Sequence, residues 1–332
     1  MLIHPPRLPP TAARIFVKHS IIPTVWGEPM KRNSAVLGLI MLFTAAPSFA
    51  RAEGHFDRTL TVSGAANLDL TTGSGEVKVK TGDSSRVVIH ATVRSSNDWF
   101  GGNEESAVRS VESNPPIVQN GNSIRIGYNL PEDAKRHVSI SYEITLPADT
   151  TLQVNTGSGE ISVEGVRAPA KLHTGSGDIR ASDLGPQSHM ETGSGGIRAD
   201  SVAAPSYAST GSGSIQADFT GSGDVDLHTG SGGIRVRGVS GGLRARTGSG
   251  ELNVDGNVKG PWQLHTGSGS IRLALASSSG FNLDAHTSSG AIHSDLTITV
   301  QGTFGRHELK GVVRGGGPDV EVSTGSGDIE IR

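Results

Sequence analysis

Thr156-Gly157-Ser158-Gly159-Glu160-Ile161-Ser162-Val163 and Thr174-Gly175-Ser176-Gly177-Asp178-Ile179-Arg180-Ala181 are one eight-residue pattern written twice, 18 residues apart. Its opening Thr-Gly-Ser-Gly recurs from Thr192, Thr210, Thr220, Thr229, Thr247, Thr266 and Thr324, and once earlier from Thr72; Thr287 opens the variant Thr-Ser-Ser-Gly. From Thr156 to Thr266 the main spacing is 18 or 19 residues. A fixed period of this length marks a solenoid or array, in which each unit buries its apolar face only against its neighbours.

Aligned on the threonine, the fifth residue after it reads Ile161, Ile179, Ile197, Ile215, Ile234, Leu252, Ile271 and Ile292. The seventh reads Val163, Ala181, Ala199, Ala217, Val236, Val254 and Leu273. A third apolar column lies two residues before the threonine: Val154, Leu172, Met190, Ala208, Leu227, Ala245, Leu264 and Ala285. Apolar positions two apart with polar ones between are the pattern of a half-buried strand. Each coil is therefore expected to hold at least two short strands separated by turns. The abutting segments 220–228 and 229–237 add a nine-residue rhythm, which points to coils made of two half-coils. Glycine in a strand costs about 0.5–1 kcal/mol relative to alanine, so its recurrence predicts turns that need positive φ. The serine between the glycines is expected to hydrogen-bond the local backbone and its stacked equivalents.

The architecture expected is all-β: a parallel β-solenoid, or β-helix, of about 18-residue coils over residues 153–332. Right-handed coiling is favoured by chain chirality. Residues 56–152 read as an irregular, β-rich N-terminal cap with the first coils. It holds strands over 76–80, 86–94 and 137–146, a short helix near 104–111, and strand-like runs 117–119 and 123–128 joined at Asn120-Gly121. Segments 320–322 and 328–331 read as closing strands, since solenoid ends must be covered.

Composition agrees. Gly supplies 46 of 332 residues, about twice the ordinary ~7% share, and aromatics only 4%, so large side chains cannot fill a wide globular core. A net charge of −3 with 18% charged residues gives no support to a nucleic-acid partner. At Met30, Lys31 and Arg32 precede an apolar run over 35–46 and then Pro47-Ser48-Phe49-Ala50, the order of a signal peptide over residues 30–50. Residues 1–29, with Pro5, Pro6, Pro9 and Pro10, read as a non-native upstream extension, translation starting at Met30. The expected localisation is exported: periplasmic, cell envelope or extracellular. No later stretch reaches the ~20 apolar residues of a membrane span. With no cysteine, disulfides and thiolate metal sites are excluded.

The series Gly157-Ser158-Gly159-Glu160-Ile161, Gly175-Ser176-Gly177-Asp178-Ile179 and Gly325-Ser326-Gly327-Asp328-Ile329 resembles a bacterial β-strand-repeat family provisionally named adhesins, a domain of unknown function related to auto-transporter adhesin head domains. The likeness covers roughly residues 56–332. It implies a β-helical architecture and an adhesin role, with no catalytic residues to carry over. The chain departs from surface-anchored adhesins in showing no sortase motif and no evident C-terminal membrane barrel.

No residue is singled out as catalytic, cofactor-binding or metal-ligating, and no cofactor is called for. Gly-x-Gly recurs, but a phosphate loop must feed a helix and strands follow here. Glu160, Asp178, Asp224, Glu251 and Asp328 read as solvated turn carboxylates in preference to Ca²⁺ ligands, because they adjoin the isoleucine column where calcium β-rolls place the acid two residues before it. Arg180, Arg198, Arg235 and Arg272 form an outward column, structural in preference to anion-binding. His173, His228, His265 and His286 precede the repeat threonine and should point outward, with His265 and His286 on consecutive coils and within metal-bridging reach. The resulting expectation is a non-enzymatic protein that binds a macromolecular or glycan surface along its rod. The alternatives are a periplasmic or envelope scaffold for a partner protein, and a β-helix polysaccharide-active enzyme. The last would need paired carboxylates, usually with aromatic platforms, and only Trp99 and Trp262 of the tryptophans follow the signal peptide.

Overall fold

The computed structural model describes residues 52–96 and 103–332, within the compact unit Ala50–Arg332. The readings of residues 1–29 and 30–50, and Trp99, lie outside the described residues.

One coil shows how the sequence makes the fold. The strand Thr151–Thr156 ends on the repeat threonine, the Gly-Ser-Gly corner reverses the chain, and the strand Ile161–Glu164 runs back. A second corner then leads into Ala170–Thr174, the first strand of the next coil. Each half-coil is thus one strand and one corner, as the nine-residue rhythm implies. Successive strands stack parallel and in register: Leu172 lies between Val154 and Met190, and Ile179 between Ile161 and Ile197. Strands that end in the threonine gather into a sheet of 14, the Thr sheet. Those that begin with the isoleucine column form a sheet of 13, the Ile sheet. The chain is therefore a nearly all-β solenoid of two long, largely parallel sheets.

The core is the space between them. Ile161, Ile179, Ile197, Ile215, Ile234, Leu252 and Ile271 are each at most 2% exposed, and each such side chain contributes about 1.5–3 kcal/mol by leaving water. Ile292, in the outermost strand of its sheet, is only half-buried. A further inward column, four residues before the threonine, runs from Leu152 through Val225 and Leu243 to Trp262. Trp262 is wholly buried and its indole Nε1 donates to the Gly241 carbonyl at 2.9 Å, so it is core and not a surface platform.

The threonine does what was expected of the serine. Ser158 and its equivalents are largely exposed, whereas Thr174, Thr229, Thr266 and Thr287 are fully buried. Thr174 Oγ1 accepts the Gly177 amide of its own corner at 3.1 Å and donates to the Gly159 carbonyl of the preceding coil at 2.9 Å. Thr192, Thr210 and Thr229 repeat both bonds, so one hydroxyl closes the corner and ties it to its neighbour. Such bonds contribute about 1 kcal/mol each. The glycines have two causes, of which the expected positive φ is one. Positive φ occurs at Gly269 (155°) and Gly327 (146°), but not at Gly177 or Gly195. There a Cβ would collide with the carbonyl of the glycine one coil back. Close stacking of corners, more than backbone conformation, requires glycine.

Both ends depart from simple succession. The strands Asn67–Thr72 and Val77–Thr81 form the earliest coil in the chain, yet lie between Ser123–Ile126 and Thr151–Thr156 in one sheet and between Val138–Leu146 and Ile161–Glu164 in the other. Outside them the pairing turns antiparallel, through Arg86–Ser95 to Glu53–Thr61, and through the hairpin of Ser123–Ile126 with Ile117–Asn120. The helix Asn103–Ser113 packs Ala107, Val108 and Val111 into this cap. The strand expected over 137–146 is Val138–Leu146, and a second helix, Glu132–His137, runs directly into it. Burial pushes the Tyr142 phenol pKa well above its ordinary value.

At the far end, Asp319–Ser326 and Ile329–Ile331 do not close the array. They are inserted between the coil of Trp262–Ser268 and Ile271–Leu275 and the coil of Phe281–Ser289 and Ile292–Ser294. The Thr sheet is closed instead by the antiparallel strands Glu308–Val313 and Ile298–Phe304. The identical columns of every coil conceal this order in the sequence.

Candidate functional site

The outward residues of the Thr sheet three positions before the threonine make a chemically varied surface. In spatial order they include Lys171, His189, Tyr207, Asp226, Arg244 and Gln263, one per coil. The parallel register brings His189 and Tyr207 side by side, and their rings stack with centroids 4.4 Å apart and planes 8° apart. His189 Nε2 also lies 3.0 Å from Glu191 Oε1, which holds the imidazole against the phenol. The next coil carries the short Asp226, leaving a gap between the Tyr207 ring and the Arg244 guanidinium.

That gap is the middle of a groove of 460 Å³ whose wall is completed by Pro205, Asp224 and Pro261 at the corner. It crosses five coils, on the order of 20 Å at ~4.8 Å per coil. Asp224 Oδ1 accepts the Gly242 amide at 2.9 Å, which orients its exposed carboxylate along the groove. Arg244 Nη1 is 3.6 Å from Asp226 Oδ2, and Arg244 Nε donates to Gln263 Oε1 at 3.3 Å. At the lip, Gln187 holds φ at 62°, a left-handed conformation that costs a residue with a Cβ about 1–2 kcal/mol. A larger recess of 530 Å³, at the ends of the Ile-sheet strands, is lined by small residues such as Gly238, Gly256 and Ala274 together with Asp255, Asn257 and Arg332.

The other residues weighed from sequence are placed as follows. Asp178, Asp224 and Asp328 each accept a backbone amide from the adjacent coil, at 2.8, 2.9 and 2.8 Å. Glu160 pairs with Arg180, and Glu251 Oε2 is 2.9 Å from Arg272 Nη1. The turn acids therefore staple coils together. Among the described residues no group of three or more His, Asp or Glu is placed to hold a metal ion. The arginine column is exposed, with Arg198 Nε 2.9 Å from Asp200 Oδ2. All four column histidines point outward, but His265 and His286 are not on adjacent coils. Ser323 of the inserted coil stands between them and pairs with His265 Nδ1 at 2.9 Å, so the metal-bridging geometry is excluded. The groove residues were passed over in the sequence because their column looks merely polar. The signal was available: Tyr207 follows His189 by one 18-residue period.

A family model described as toastrack DUF4097 matches residues 65–332. The chain belongs to the toastrack DUF4097 family. No curated protein matches it. Among solved structures, this toastrack chain is similar to a cell adhesion protein, provisionally so named, from Clostridium sporogenes, at 13% identity over 84% of this chain and 98% of that one, with a TM-score of 0.27. It is similar to a provisionally named adhesin from Bacteroides fragilis at 12% identity, covering 84% and 97%, with a TM-score of 0.36. A provisionally named lipid-binding protein from Parabacteroides distasonis gives 12% identity, the same coverages and a TM-score of 0.33.

Proposed function

We propose that the chain is an exported, non-enzymatic adhesin-type protein that binds a macromolecular or glycan surface along its side. The observation that carries this reading is the outer face of the Thr sheet, which offers side chains at a regular rise and a groove that runs across coils instead of closing around one point. A surface of this kind suits many modest contacts whose sum gives avidity. Export is supported by the signal-peptide pattern of residues 30–50. Among the described residues no helix is long and apolar enough to cross a membrane.

One observation favours a second reading. Asp224 and Asp226 line the same groove two residues apart in the chain, and glycoside cleavage uses a pair of carboxylates. Against it, Asp224 is exposed and tied to an amide, and neither acid lies in an apolar pocket of the kind that makes a general acid.

Excision of residues 157–174, one whole coil outside the groove, tests the reading. Thr156 would then lead directly into Gly175 with every column in register. Retention on an immobilised panel of polysaccharides and matrix proteins is expected to fall only a few-fold, with circular dichroism unchanged. Complete loss of retention in a protein still folded would contradict the extended-surface reading.

A further inference from the structure

The geometry points to the Tyr207 groove as a binding site for an extended, linear oligosaccharide, with one sugar ring seated on the open face of Tyr207 between that ring and Arg244. This rests on the binding reading above and specifies its ligand.

The chemistry of the lining selects the class. His189 covers one face of Tyr207 at 4.4 Å, so the other faces the gap over Asp226. A flat ring with a free face stacks against the C–H face of a pyranose, which has apolar faces and polar edges. Asp224 and Asp226 supply acceptors, the Arg244 guanidinium donors, and Gln263 both, a mixture suited to hydroxyl groups that donate and accept at once. Two carboxylates in the floor and wall oppose a polyanion, so a nucleic-acid strand is disfavoured. An extended peptide would bind by adding a strand to an open sheet edge, but the groove strands Ser188–Thr192, Ser206–Thr210, Val225–Thr229 and Leu243–Ser249 are hydrogen-bonded on both sides. The groove therefore has no free strand edge to which a peptide could add. Its direction matches too, because it runs along the coil axis with one polar residue per ~4.8 Å, close to the length of one sugar in an extended chain.

The test is calorimetric titration of the full chain with linear β-1,4 hexasaccharides of glucose, N-acetylglucosamine, mannose and xylose. At least one is expected to bind, and Tyr207→Ala to weaken it by about tenfold or more, with Tyr207→Phe within about twofold of the parent. Asp226→Asn, which preserves shape, is expected to weaken binding as well. Arg235→Ala, on the outer face of the opposite sheet, is expected to leave it unchanged. Melting curves establish that the variants fold. Equal affinity of Tyr207→Ala and the parent, or no binding of any hexasaccharide at millimolar concentration, would overturn the assignment. The extended-surface reading would survive either result if retention on the panel of polymers persisted. Release of shortened sugars would instead defeat the non-enzymatic reading and leave the groove in place.

Discussion

Deletion of residues 319–332 is expected to unfold the whole C-terminal end of the solenoid instead of trimming one coil. These residues lie inside the stack, with the coil of Trp262–Ser268 on one side and that of Phe281–Ser289 on the other. Val320, Val322, Ile329 and Ile331 are each at most 1% exposed, and their loss removes on the order of 8 kcal/mol of apolar burial. It also opens four parallel strand edges, those of Trp262–Ser268, Phe281–Ser289, Ile271–Leu275 and Ile292–Ser294, whose amides and carbonyls were paired. Thr287 would lose the Gly327 carbonyl it donates to at 2.9 Å, and Gly269 the Thr324 hydroxyl. Direct closure of the gap would press the Trp262 indole against Leu283, which Val320 now separates. Hydrogen exchange is the measurement. Residues 281–313 should lose protection in the truncated chain while 156–247 keep theirs. Unchanged protection over 281–313 would show that the outer coil slides inward, contrary to this account.

The second large effect separates the inner from the outer face of a single strand. Ile197 is 2% exposed between Ile179 and Ile215, whereas the next residue, Arg198, faces solvent and pairs with Asp200. Ile197→Asp is expected to destabilise by about 4 kcal/mol or more, because an unpaired carboxylate among aliphatic side chains has neither water nor a partner. Arg198→Asp removes one exposed ion pair and places two acids together, a cost of about 1 kcal/mol. Denaturant midpoints of the two variants should differ accordingly. Equal shifts would mean that the alternation assigned to this strand is wrong.

How much of this was legible follows from what repetition preserves. The columns through Ile197, Ala199 and Met190 show period two within a strand and a fixed period between coils, so strands, inward faces and parallel stacking can all be read from the chain. Coil order cannot be. The corner at Thr324 carries the same residues as that at Thr266, and nothing local says that the former fills a place inside the array. The division of labour between Thr174 and Ser176 was hidden for a related reason: both are hydroxyl residues in a corner, and only strand phase decides which one points inward. The groove was missed because its residues share a column but not a type. Their adjacency is a consequence of register, and the stack of His189 on Tyr207 becomes predictable once the 18-residue coil is fixed.

The central claim is that the side of this solenoid holds a ligand without transforming it, and native mass spectrometry reads both halves of that claim at once. The full chain incubated for a day with the β-1,4 hexasaccharides should show a complex whose mass equals protein plus intact hexasaccharide, with the free sugar unchanged in length. Accumulation of shorter sugars that stops in an Asp224→Asn, Asp226→Asn double variant would contradict it, and would make the two groove carboxylates a catalytic pair.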